Sequence, residues 1–364
     1  MTTHILITGA SGFVGRHVVA AADAIPGVRL RLMEHRAPVD VPASGAGSDI
    51  ETVYGDLAAI ASLRGVCDGV DAVIHCASQI NGDERTVRSV NDLGTRALVE
   101  EAERAGVARI VCLSTAAVYG RGPFTDLAPG RAPLAPVSLT SVTRAAAESH
   151  VLAAGGTVLR PHLVHGEGDR WVIPGLVALV RELSSGLAGC AARHSMIDVR
   201  VLGRALLAAA LSPRETAGVH HVNHPDPVAC SDLVAAVSAA LGLEWAAADI
   251  ALDEARARLA ASPRLLHSLQ LLTVEHWFTD DRVWDLLGCD PGEGFKADFP
   301  LHADWYRSVL MPGGQGRPGR TARRQQHTGE RPGCLGAEFV GGAARCGQYV
   351  TAGTALGSPS GRTT

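Results

Sequence analysis

Lysine and tyrosine are the scarce residues of this chain. Lys296 is the only lysine among 33 basic residues, and the four tyrosines stand at 54, 119, 306 and 349. No tyrosine therefore lies one helical turn before a lysine, which excludes a phenol activated by a neighbouring ammonium in that arrangement. Charge of either sign is in no great surplus. With 19% of residues charged and a formal net charge of −4, neither nucleic acid nor a membrane surface is expected as partner. No apolar run reaches membrane-spanning length and the chain enters directly into a strand without a signal peptide, so a cytoplasmic protein is expected. The cysteines, at 67, 76, 112, 190, 230, 289, 334 and 346, contain no C-x-x-C pair. They read as core thiols rather than a disulfide framework or zinc site, and no metal ligands are assigned.

What is present begins at once. His4-Ile5-Leu6-Ile7 has the character of a buried parallel strand and runs into Thr8-Gly9-Ala10-Ser11-Gly12-Phe13-Val14-Gly15. Apolar residues then recur with helical spacing at Val14, Val18, Val19 and Ala22. Strand, glycine-rich turn and helix in succession are what a dinucleotide-phosphate loop needs. Gly9 allows the tight turn, Gly12 lets the backbone close on a pyrophosphate, and Gly15 lets helix and strand pack closely. The helix N-terminus adds free N–H groups and a positive dipole end, so Ser11, Phe13 and Val14 join the expected cofactor contacts.

A second strand, 28–34, ends about 20 residues past Gly15, where a residue reading the adenosine ribose is expected. Glu34 would accept from the ribose hydroxyls of NAD, whereas His35 and Arg36 would hold the 2′-phosphate of NADP. A charge-assisted contact from Arg36 tips the reading toward NADP(H) over NAD(H), with a solvated charged turn as the plain alternative. A loop rich in Pro, Gly and Ser (38–48) leads to a strand at 52–54 and to Gly55-Asp56-Leu57. Asp56 there caps the next helix or reaches the adenine amino group. Strand 71–78 ends in the small residues Cys76, Ala77 and Ser78, as it must if a cofactor crosses its carboxyl end, and His75 within it reads as core. After a helix with Val90, Leu93, Ala97, Leu98 and Ala102 on one face come strand 109–113, segment 114–120, a helix carrying Arg144, and a strand ending at Arg160-Pro161.

The alternation predicts an α/β fold, a Rossmann-type doubly wound parallel sheet over residues 1–165. Beyond 166 the rhythm changes to amphipathic helices with short strands, read as a smaller, mostly helical substrate lobe over 166–310. From 311 to 364 Gly, Arg, Ser and Thr dominate without periodicity, and that segment reads as a disordered tail.

In order and spacing these segments resemble one family, the extended short-chain dehydrogenase/reductases, also called the NAD-dependent epimerase/dehydratase family. The resemblance rests on 8–15, Gly55-Asp56-Leu57, His75-Cys76-Ala77, Asn91-Asp92-Leu93-Gly94-Thr95, Ser114-Thr115-Ala116-Ala117-Val118-Tyr119-Gly120 and Leu159-Arg160-Pro161. Gly242 and Leu286-Leu287-Gly288 extend it over roughly residues 1–310. It implies a site with a Ser or Thr, a Tyr four residues before a Lys, and often an Asn. The Tyr is the acid or base at the carbonyl, and the Lys lowers its pKa and holds the nicotinamide ribose. Thr115 matches the Ser/Thr and Asn91 the Asn, while the Tyr and Lys positions fall on Thr140 and Arg144. A Thr hydroxyl ionises too far from neutrality to replace a phenol as general acid. Arg144 keeps a charge near the ribose without titrating as Lys does. Thr115 and Thr140 are thus the catalytic candidates. Pro161 and His162 complete the expected cofactor contacts, and Ser138 and His162 are lesser polar candidates at the substrate.

Two functions follow. The first is an NAD(P)H-dependent ketoreductase of an aromatic, phenolic polyketide, with an atypical, substrate-assisted site. A phenol hydrogen-bonded to the ketone would supply the proton while Thr115 orients the carbonyl. Tyr-less relatives acting on angucyclinones of the simocyclinone type are where the resemblance points. The second is an NAD(P)-binding sensor or scaffold without turnover. A nucleotide-sugar epimerase or dehydratase ranks third, because it needs the missing Tyr. The expected partner is a small-molecule substrate, and the expected assembly a monomer or homodimer.

Overall fold

A computed structural model describes residues 2–39, 49–243 and 246–311. Nearly all of the expected tail, with Cys334 and Cys346, and most of the 38–48 loop lie outside the described residues. Seven strands form one sheet: β1 (Thr3–Thr8), β2 (Val28–Glu34), β3 (Asp49–Tyr54), β4 (Ala72–His75), β5 (Arg109–Leu113), β6 (Thr157–Arg160) and β7 (Gly218–His221). Every pairing is parallel and the spatial order is β7-β6-β5-β4-β1-β2-β3. The order reverses between β1 and β4, which opens the ligand crevice of a doubly wound sheet at their carboxyl ends.

The flanking helices include α1 (Gly15–Asp23), α2 (Thr95–Ala105), α3 (Leu139–Ala153), α4 (Val172–Leu183) and α5 (Val199–Leu211). Helices cover both sheet faces, so β1 reads as an unbroken apolar run and Ile5, Leu6 and Ile7 are all fully buried. Val18, Val19 and Ala22 of α1 and Leu202, Ala205 and Leu206 of α5 pack on Ile5, Ile7 and Leu30. On the other face Leu98 and Ala102 of α2 and Val151 of α3 pack on Leu6, Val73 and Cys112. A Cβ at Gly203 would lie 2.8 Å from the His17 carbonyl carbon, so the lack of a side chain there sets the close approach of α5 to α1.

Residues 163–311 build a second core around Ile173, Leu179, Leu233, Val237, Phe299 and Tyr306. The chain does not stay there. It returns to the nucleotide-binding layers as α5, as the edge strand β7 and again as the short helix Val283–Leu287, so the change of rhythm at 166 is not a clean layer boundary. One cysteine expectation is corrected. Cys190 and Cys230 are joined by a disulfide, with Cα atoms 5.4 Å apart and 40 residues between them. Cys67, Cys76, Cys112 and Cys289 remain free thiols. Among the described residues no helix is long and apolar enough to cross a membrane.

Candidate functional site

The chain reverses beyond β1 at Gly9, where φ is +69°. A Cβ there would sit 2.6 Å from the Ala77 nitrogen and 2.8 Å from its Cα, so glycine lets the ends of β1 and β4 meet. A Cβ at Gly15 would run into the Gly9 carbonyl oxygen and lie 3.0 Å from the Ala10 Cα. Gly12 differs: apart from the Gly9 carbonyl, its oxygen 3.0 Å away, that side is open. The Gly12 N–H closes the turn on that same oxygen at 2.9 Å, whereas the N–H groups of Ser11, Phe13 and Val14 have no protein acceptor among the described residues. The first turn of α1 carries no acidic side chain. Unpaired donors at a helix N-terminus make a cradle for an anion.

Beneath the crevice runs a closed relay of hydrogen bonds. The Thr95 hydroxyl donates to the Asn91 carbonyl at 2.6 Å, so its oxygen receives the His75 Nε2 proton at 2.9 Å. His75 Nδ1 in turn accepts the Thr8 hydroxyl at 2.7 Å. Burial pushes the His75 pKa down to about 4, and the ring is a neutral strut between β1, β4 and α2. Asn91 sits in a π-helical turn, Ser89–Gly94, of the kind that recurs at functional sites. Its Nδ2 donates to the Gln79 carbonyl at 2.9 Å and to Thr143 Oγ1 at 3.0 Å, and its Oδ1 accepts the Gln79 N–H at 2.7 Å. Asn91 therefore clamps the exit of β4 to α3.

The helix α3 carries Thr140 and Arg144 to this place, starting from a capping box of Ser138 and Ser141. The Thr140 hydroxyl donates to the Ile80 carbonyl at 3.0 Å. Arg144 turns inward. Its Nε reaches Ser78 Oγ and its Nη1 the Leu113 carbonyl, each at 3.2 Å, and burial pushes its pKa down. Beyond β5, Thr115 Oγ1 accepts the Ala117 N–H at 3.2 Å, which leaves its own proton to donate elsewhere. Pro161 lies alongside, its carbonyl accepting the Ala116 N–H at 2.8 Å. The His162 N–H donates to Asn223 Oδ1 at 2.8 Å, and its ring lies against His276 and Phe278.

A buried charge network below Thr115 escaped the sequence reading. The Glu148 carboxylate accepts from Arg160 Nε at 2.9 Å, from Arg160 Nη2 and from the Ser114 hydroxyl. Arg160 Nη1 also donates to the Tyr119 oxygen at 2.7 Å, which directs the phenol proton to His221 Nε2, 2.8 Å away. Tyr119 is 3% exposed and desolvation pushes its pKa up, so this phenol holds structure and does not face the crevice. The available signal was Arg160, a charge inside an otherwise apolar strand.

On the adenosine side Arg36 is exposed at the exit of β2. Glu34 Oε1 accepts the Val39 N–H at 2.9 Å and so bends the chain after β2. The helical turn that follows Asp56, Ile60–Leu63, starts at Ala59 without a side-chain cap, so Asp56 does not cap the next helix. Its Oδ1 instead closes a turn by accepting the Ala58 N–H at 2.9 Å, and its Oδ2 lies 3.2 Å from His35 Nε2. Leu57 is buried behind it, and Cys76, Ala77 and Ser78 are half-buried at the exit of β4. A cavity of about 760 Å³ opens beside the loop, lined by Ala10, Ser11, Arg16, Ala37, Arg200 and Arg204 among others.

Comparison with known proteins fits this geometry. The chain is 39% identical over 126 residues to sterol demethylase protein B of Methylococcus capsulatus, covering 34% of this chain and 37% of that one. It is 27% identical over 242 residues to the human decarboxylating sterol-4-alpha-carboxylate 3-dehydrogenase, covering 61% and 62%. The chain thus spans between about a third and two thirds of the length of these relatives. Its fold matches the Bordetella bronchiseptica enzyme WbmH in complex with NAD+, with a TM-score of 0.68 and 20% identity over 85% of this chain and all of that one. The NAD dependent epimerase/dehydratase family matches residues 5–223. This chain, with its parallel sheet and glycine-rich turn at the switch point, belongs to that family.

Proposed function

We propose that this protein is an NAD(P)H-dependent ketoreductase whose substrate carries its own acidic hydroxyl beside the reacting carbonyl. One observation carries the reading. Thr140, at the position where the family resemblance puts the general acid, donates its hydroxyl to the Ile80 carbonyl, and the nearby Tyr119 phenol is committed to His221.

The residues fit a dinucleotide. The free N–H groups of Ser11, Phe13 and Val14 suit the pyrophosphate, and the open side of Gly12 leaves it room. Leu57, Cys76, Ala77 and Ser78 would line the crevice, with Pro161 and His162 flanking its nicotinamide end and Arg144 placing a cation below. Engagement of Glu34 with Val39 leaves exposed Arg36 as the reader of the adenosine ribose, which favours NADP(H) over NAD(H). When bound, the reduced nicotinamide supplies the hydride and leaves oxidised. Thr115 would donate a hydrogen bond to the carbonyl oxygen and so orient it, keeping its own proton. As the carbonyl carbon is reduced, its oxygen takes the proton of the adjacent substrate hydroxyl, and water restores that proton.

The substrate class is a polycyclic, largely apolar ketone, with phenolic polyketides as the members meeting the acid requirement. The sterol names of two relatives support the polycyclic part. The reaction would run in the cytoplasm in a monomer or homodimer. The inward turn of Arg144 favours a second reading, a cofactor-binding sensor without turnover. Reduced cofactor deuterated at the transferring position distinguishes them. Deuterium on the carbinol carbon of a phenolic ketone is expected, and saturated cofactor binding with no transfer across a panel of such ketones would leave only the sensor.

A further inference from the structure

Three imidazoles meet beyond the exit of β6. His194 and His276 are paired in neighbouring short strands, Arg193–His194 and His276–Phe278, and His162 follows Pro161 onto them. The ring centroids are 5.4 Å (His162–His276), 6.4 Å (His194–His276) and 6.5 Å (His162–His194) apart, with ring planes within 21° of one another. One nitrogen from each ring lies within 4.8 Å of the others. A point equidistant from the three centroids is about 3.5 Å from each, close to the ~3.2 Å of an imidazole whose nitrogen binds zinc at ~2.1 Å.

Two nitrogens of the cluster are left without a partner. His162 Nε2 and His194 Nδ1 are buried without a hydrogen-bond partner. Leu272 accepts the other nitrogen proton of His194 at 2.9 Å, which holds the Nδ1 lone pair free, as a backbone carbonyl does behind many metal-bound histidines. His276 has carbonyls at both nitrogens, Val274 at 2.8 Å and Arg121 at 2.9 Å. Whichever of the two nitrogens ligates would exchange its carbonyl for the cation. A small void lined by Leu163, Trp171, His194 and Leu272 reaches the cluster, with Trp171 53% exposed.

We propose that His162, His194 and His276 form a binding site for a divalent first-row transition metal, zinc above others, with a coordination position left open. An all-imidazole set suits zinc, nickel or copper and disfavours the oxygen-seeking magnesium and calcium.

The test uses the full chain without an affinity tag, stripped by a chelator and titrated with Co²⁺. One Co²⁺ per chain is expected, with the visible absorption of a nitrogen-ligated four- or five-coordinate ion, bleached by Zn²⁺, and Zn²⁺ should raise the melting temperature. His194→Ala and His162→Phe should each weaken Co²⁺ binding at least tenfold. The second variant keeps an aromatic ring against Phe278 while removing both nitrogens. His267→Ala, at an exposed position, should leave binding unchanged. Circular dichroism of the metal-free variants checks their fold, and if either fails to fold the wild-type stoichiometry and spectrum decide. A wild-type chain that takes up less than half an equivalent, or gives only the weak spectrum of hexaaqua Co²⁺, overturns the proposal. So does binding that survives both substitutions.

Discussion

The three glycines of the loop should fail in different ways when each is given a side chain. Gly9→Ala forces an L-residue into the left-handed region, at ~1–2 kcal/mol. Its methyl also meets the Ala77 backbone at 2.6 and 2.8 Å. Neither neighbour is a flexible side chain, so β1 and β4 must part, and overpacking of that kind adds ~1–3 kcal/mol. The sum, roughly 2–5 kcal/mol, should lower the melting temperature by roughly 3–8 °C in a domain of this size. Gly12→Ala is the contrast. Its methyl meets the Gly9 carbonyl oxygen at 3.0 Å, a contact relieved by a shift of a few tenths of an ångström, and should cost under ~1 kcal/mol of stability. The same methyl stands where a phosphate would approach. Losing one or two charge-assisted N–H contacts, at ~1.5–3 kcal/mol each, should weaken cofactor binding by about tenfold to about 10⁴-fold. Calorimetric titration with NADP and NAD, beside thermal melts, separates the two effects. A Gly12→Ala protein that binds both cofactors as tightly as the parent, or a Gly9→Ala protein that melts with the parent, would refute the reading of this loop.

Arg36→Ala should weaken NADP(H) by ~1–3 kcal/mol and leave NAD(H) nearly untouched, as titration with both cofactors will show; equal loss for both would make Arg36 structural. Glu148→Ala strands the buried Arg160 guanidinium and should cost ~3–5 kcal/mol in urea unfolding, whereas Glu148→Leu combined with Arg160→Met should cost much less. Burial lowers His75 and His221 to about 4, below their unfolded value. Their neutral forms therefore support the fold fully above pH ~6.5, and the support fades toward pH ~4 because the unfolded chain binds protons that the native rings refuse, at most ~3 kcal/mol for each. Urea midpoints that fail to fall between pH 7.5 and pH 5 would contradict this.

What was legible in the chain was whatever local pattern controls. The first strand, turn and helix announce themselves because Gly12 and Gly15 serve contacts within a few residues, and β2 and β5 have the bounds expected from the sequence. The edge strand β3 begins at Asp49, before the expected 52, because Asp49 and Glu51 pair with Arg29 and Arg31 of the next strand, and charge hides an edge strand from a hydrophobic pattern. The return of α5 and β7 to the sheet, the Cys190–Cys230 bond, the Glu148–Arg160 pair and the three histidines are all long-range pairings. Spacing carries no signal for them. At the site, sequence named Thr140 and Arg144, but only the fold reveals that Ile80 and Leu113 occupy their polar atoms.

The central claim, that the substrate and not a side chain supplies the proton, is tested most directly by masking the acid. Initial rates of reduced-nicotinamide consumption should be compared for a phenolic ketone and its O-methyl ether, with the binding of each measured separately because methylation adds bulk. The account predicts that the ether binds yet loses most of its turnover, while Thr140→Ala and Thr115→Ala cost far less on the parent ketone. An ether reduced as fast as its parent, together with an inactive Thr140→Ala enzyme, would contradict it and make Thr140 the acid.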